Sequence, residues 1–184
     1  MQRLLVMTII GPDRPGLVRS VAALVAQHGG NWLESRMSRL GGQFAGILRV
    51  EVPADQAPSL VPALEALATS GLKVVVSPDA PSASAAPRRL KVLEIVGQDR
   101  PGIVRQISAA LAGQNVNVEE LQTECSSAAM SGETLFKARA LLSVPETCEV
   151  ESLRRELEKI AADLIVEISL TEPSAQEPLI APVQ

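Results

Sequence analysis

The 184-residue chain is 46% hydrophobic but only 2% aromatic, with one Trp, two Phe and no Tyr, so its core must be built from Ala, Val, Leu and Ile. Its 17 Lys and Arg are scattered among 21 Asp and Glu, for a net charge of −4, which argues against a surface that displaces counterions from nucleic-acid phosphates. No apolar run approaches the ~20 residues of a membrane span, and the first residues lack the long apolar segment and cleavage site of an export leader, so a cytoplasmic chain is expected.

The opening stretch predicts a strand over Arg3 to Ile10, running into Gly11-Pro12-Asp13-Arg14-Pro15-Gly16. Leu17, Val18, Val21, Leu24 and Val25 then recur on one helix face. Pro15 suits the first helical turn, and Gly29-Gly30 suits its end. Two strands, Asn31 to Leu40 and Gln43 to Val52, meet at Gly41-Gly42, a tight hairpin signal. A second helix carries Leu60, Val61, Leu64 and Leu67 on one face and admits Pro62 only in its first turn. A strand from Leu72 to Val76 closes the set.

The whole order then repeats. Gly97-Gln98-Asp99-Arg100-Pro101-Gly102-Ile103-Val104 restates Gly11 to Val18, Arg105 restates Arg19, and Asn117 restates Asn31. Phe136 and Pro145 match Phe44 and Pro53 at an offset six residues larger, which places an insertion around 126–132. Leu153, Leu157, Ile160 and Ala161 mark the last helix. Duplication at this period signals two copies of one small domain. The order βαββαβ is the ferredoxin-like split βαβ, so the expectation is an α+β chain with two antiparallel sheets, each with helices on one face. The expected domains are 1–77 and 89–170, with a Pro/Ser/Ala linker at 78–88 and a loose tail at 171–184. An uncovered sheet edge favours a homodimer, and a crevice between paired units is a natural binding site.

The repeated turn has two readings from its chemistry. One is a strand-to-helix turn and nothing more. The other adds a carboxylate held on the free amides of the helix start, an amino group met by Asp13 or Asp99, and Asn31 or Asn117 approaching the same crevice. Enzyme readings fail on the residues. Gly11 to Gly16 has phosphate-loop spacing, but Leu17-Val18 stands where Lys-Ser/Thr is needed. Cys125, Cys148 and the single His28 fit no zinc pattern. The thiols are expected to be buried or half-buried, and His28 to cap a helix end. Glu119 and Glu120 are expected to point to opposite faces of a strand. Glu149, Glu151, Glu156 and Glu158 read as a solvated helix face with Arg154, Arg155 and Lys159. No catalytic residue, metal or cofactor is expected.

Asp-Arg-Pro-Gly-[Leu/Ile]-Val after a first strand, with Asn opening the second, resembles the ACT domain, a regulatory amino-acid-binding module. The resemblance extends to about Leu170. It implies ligand contacts from Gly11, Asp13, Arg14, Gly16, Leu17, Val18 and Asn31, and from Gly97, Asp99, Arg100, Gly102, Ile103, Val104 and Asn117, at a domain–domain interface. Two ACT units without another domain, with an insertion reaching from Met130 to Phe136, look most like the glycine cleavage system transcriptional repressor family. That likeness implies a small amino acid, glycine or similar, as ligand and a LysR-type transcription regulator as partner, with no direct nucleic-acid contact. An assembly module that lost its pocket, and a detached regulatory subunit of a biosynthetic enzyme, stand as alternatives.

Overall fold

Along Gln2–Pro12 (β1) the side chains of Leu5, Met7 and Ile9 are buried while those between them face outward, the period-two signature of a strand with one covered face. The computed structural model describes residues 1–79, 87–127 and 133–173. Most of the expected linker, the centre of the insertion and most of the tail lie outside the described residues.

After β1 come a helix at Leu17–Gln27 (α1), strands at Asn31–Leu40 (β2) and Gln43–Pro53 (β3), a helix at Ala57–Glu65 (α2) and a strand at Lys73–Pro78 (β4). The second copy supplies Arg88–Gln98 (β5), Ile103–Gly113 (α3), Asn117–Ser127 (β6), Thr134–Pro145 (β7), Val150–Leu164 (α4) and Val166–Thr171 (β8). The sheet orders are β2-β3-β1-β4 and β6-β7-β5-β8, antiparallel at every pairing. The chain divides into two compact units, Met1–Ser82 and Ala83–Gln184. Each has its own core. Leu17, Val21 and Val25 of α1 and Leu60 and Leu64 of α2 lock onto Leu5, Met7, Ile9, Leu48 and Val50. Ile103, Ile107 and Leu111 of α3 and Leu153, Leu157 and Ala161 of α4 do the same over Leu93, Ile95 and Leu142. Each fully buried aliphatic side chain contributes roughly 1.5–3 kcal/mol.

The expected strand order is present in both copies, and so are the expected helix faces except that Val18 is exposed and Leu67 falls beyond the end of α2; four further local differences stand out. Pro15 lies before α1, not in its first turn, because Gly16 at φ 95° turns the chain into the helix. Pro62 is interior to α2, not in its first turn. That helix begins at Ala57 without a side-chain cap, so Pro62 removes the amide that would bond the Pro58 carbonyl. A 3-10 turn at Ala66–Ser70 follows. Thirdly, the pairing of β6 with β7 shifts between Val118 and Glu120, so Glu119 is an extra residue, a bulge. The strict alternation expected of Glu119 and Glu120 does not hold across it. The pairing of β2 with β3 shifts likewise between Trp32 and Glu34. Lastly, Cys125 is exposed rather than buried, while Cys148 is half-buried.

Candidate functional site

At the end of β1 the chain is pinned before it enters α1. The Asp13 amide donates to the Gly42 carbonyl at 2.9 Å, and Gly41 and Gly42 both have positive φ, the requirement of the tight hairpin turn they form. Arg14 crosses to the other side and donates from Nη2 to the Ser70 carbonyl at 2.7 Å. Gly16 then adopts the left-handed conformation, and no side chain caps α1. The first amides of a helix have no acceptor within it, and α1 begins at Leu17, shortly after Asp13.

The second copy repeats the design. The Asp99 amide donates to the Thr134 carbonyl at 2.9 Å, and Gly102 sits at φ 101° before an equally uncapped α3. Arg100 differs from Arg14 in turning back onto Gln98 Oε1 at 3.0 Å.

The candidate residues separate into distinct placements. Asp13, Arg14, Gly16, Asp99, Gly102 and Arg100 form the two turns. Val18 and Val104 are exposed on the first helical turn, at 44% and 43%. Leu17 and Ile103 point into the cores, so they seat the helices. A Cβ on Gly11 would lie 2.5 Å from the Gly71 carbonyl, and one on Gly97 would lie 2.6 Å from Val166 Cγ1. Both glycines therefore admit the chain entering the last strand of each copy.

Asn31 is at the far end. It stands opposite Glu51, itself opposite Leu4, whereas Gly11 stands opposite Phe44, itself opposite Arg39. Leu4 and Gly11 are separated by seven steps of β1, ~23 Å of extended chain. Asn117, opposite Ser143, is equally far from Gly97. Inside one copy the turn and the asparagine do not share a crevice. Asn117 also donates from Nδ2 to Glu119 Oε1 at 2.9 Å.

Two neighbours distinguish the copies, and neither is marked by a motif. Arg39, at the end of β2, lies 3.5 Å from Asp13. Cys125 occupies the equivalent place in β6, opposite Phe136 as Arg39 is opposite Phe44. Among the described residues no cation pairs with Asp99. Elsewhere, His28 closes α1 by donating from Nδ1 to the Leu24 carbonyl at 2.8 Å. Burial, then the charge of Glu149, holds the Cys148 thiol above its ordinary pKa. Among the described residues no cluster of His, Cys, Asp and Glu is assembled for a metal, and no helix is long and apolar enough to cross a membrane.

A ferredoxin-like unit that launches its first helix from a glycine-capped Asp-Arg-Pro-Gly turn, built twice in tandem, belongs to the class of small regulatory domains. The ACT-domain family matches residues 3–77 and again 90–171, and the chain is a member of that family. Across 95% of its length it superposes on the whole of an unknown protein from Galdieria sulphuraria, with a TM-score of 0.84 and 29% identity. It also shares its fold with a candidate glycine cleavage system transcriptional repressor, at a TM-score of 0.66 and 21% identity over 93% of this chain and 97% of that one. A UPF0237 protein of Methanopyrus kandleri is 36% identical over 78 residues, 42% of this chain and 80% of that protein.

Proposed function

We propose that this ACT protein is a non-catalytic amino-acid sensor. It binds a small amino acid, glycine or similar, at ACT-domain interfaces, and the bound state changes its affinity for a LysR-type transcription regulator, as in repression of glycine cleavage. The observation that carries this reading is the turn itself, built twice with the same left-handed glycine and the same uncapped helix start. A helix N-terminus favours an anion and its amides point at it, while the neighbouring Asp suits an ammonium group. A zwitterion satisfies both. The likeness in fold to the candidate repressor and the excess of carboxylates agree with regulation through a partner protein rather than through direct nucleic-acid contact, and the reading includes a homodimer in the cytoplasm.

A ligand shifts an equilibrium only by its differential affinity for the two states, so the sensor needs affinity in the range of cellular amino acids. At a ceiling of about −1.5 kcal/mol per heavy atom, glycine gains at most roughly −7.5 kcal/mol, a Kd of a few micromolar. Calorimetric titration of the full chain with free amino acids into the millimolar range tests the reading. A saturable response weakened by Asp13→Asn or Asp99→Asn is expected, and silence across the set would overturn it. Operator DNA should bind the regulator and not this protein alone; tight binding by the protein alone would refute the partner assignment.

A further inference from the structure

Beneath the open side of α3 lies an apolar cleft of about 30 Å³, walled by Val104, Ser108 and Leu111 of the helix, Val118 and Leu121 of β6, and Phe136 of β7. Its rim is exposed apolar surface: Val104 at 43%, Val118 at 37% and Leu121 at 52%. The first copy closes the same place. Trp32, the counterpart of Val118, and Met37, the counterpart of Thr123, pack against the first core. Met37 lies so close over Gly46 that a Cβ there would be 2.4 Å from Met37 Cγ. Val118 and Thr123, smaller than Trp32 and Met37, leave the gap in the second copy, and Val104 carries its wall into the first turn of α3, shortly after Asp99.

From this cleft, and from an Asp99 that among the described residues lacks the cation facing Asp13, we infer that the second copy is the sensing copy and that its cleft receives the short aliphatic side chain of the amino acid. The inference rests on the sensor reading and sharpens its ligand. A gap this size admits about two methyl-sized groups, since a water needs some 10–15 Å³ on the same measure. That suits alanine and valine and leaves glycine without the contact. Asp99 supplies the charge complement to the ammonium group; Asp13, already beside Arg39, supplies a weaker one.

The test is calorimetric titration of the full chain with glycine, alanine, valine and tryptophan. Burial of each carbon strengthens binding about fourfold, so with about two groups seated valine should bind on the order of 15-fold more tightly than glycine, with alanine between. Ser108→Leu, on an exposed helix position, fills the cleft and should bring valine within about twofold of glycine. Asp99→Asn should weaken binding at least tenfold more than Asp13→Asn. Glycine binding as tightly as valine, or Asp13→Asn doing the greater damage, would overturn this inference and leave the sensor standing. Silence toward every amino acid would overturn both. An apolar peptide bound in place of valine, and lost in Ser108→Leu, would assign the cleft to a protein partner and refute the ligand proposed here.

Discussion

Replacing Gly11 by alanine isolates the close approach on which the first copy depends. The added Cβ would stand 2.5 Å from the Gly71 carbonyl oxygen and 3.2 Å from Leu72 Cα. Both are backbone atoms, so no side chain can swing away, and either β1 or the start of β4 must move. Overpacking of this kind costs typically 1–3 kcal/mol, and with backbone on both sides the upper end, about 3 kcal/mol, is expected. For a domain of this size each kcal/mol lowers Tm by roughly 4–8 °C, giving a fall of about 12–24 °C. Trp32 is the only tryptophan and packs against the first core, so its fluorescence reports that unit during heating. Gly16→Ala is the comparison. Nothing lies within 4 Å of its Cβ, and its φ of +95° supplies the whole penalty, about 1–2 kcal/mol. A Gly11→Ala protein melting within 3 °C of the parent would refute the steric argument.

Pro62→Ala restores the amide that α2 lacks, and the one hydrogen bond regained should raise the stability read by Trp32 in urea titration by about 1 kcal/mol; a lower midpoint would contradict the reading of Pro62 as a defect. Arg39→Ala removes a 3.5 Å ion pair whose arginine is 72% exposed, so stability should change by less than about 0.5 kcal/mol. A loss above about 1 kcal/mol in the same titration would show more than surface pairing there. Burial and then Glu149 raise the Cys148 pKa above the ordinary 9.0, so less of this thiol is ionised at pH 8 than in an unperturbed cysteine. Iodoacetamide should therefore label exposed Cys125 first, with Cys148 labelling rising as pH climbs through and past 9. Equal rates at pH 8, read by peptide mass spectrometry, would contradict this.

Much of the fold is written locally. Leu17, Val21 and Val25 share a face because they are helix-spaced, and Gly41-Gly42 can turn with positive φ at both positions where other pairs would strain. The start of α2 is not written that way. With Gln56 in place of a capping side chain, nothing in the sequence fixes the first residue, and so Pro62 was misplaced. The bulges at Leu33 and Glu119 were equally silent, since an unpaired residue depends on a partner strand far along the chain. At the candidate site the turns were legible as a repeated motif. Their separation from Asn31 and Asn117 was not, because it follows from strand register, and Arg39 reaches Asp13 only through the hairpin.

The two bulges bear on what each sheet can recruit. β2 and β6 are edge strands, and an open edge accepts any extended segment whose hydrogen-bonding rhythm it matches. The extra residue breaks that rhythm after Trp32 and after Val118. An incoming strand can therefore stay in phase from Glu34 to Leu40, or from Glu120 to Ser127, and must let go beyond. The bulges act as a ruler, capping the length of any zipper along either rim and denying a growing fibre the long, even template it needs.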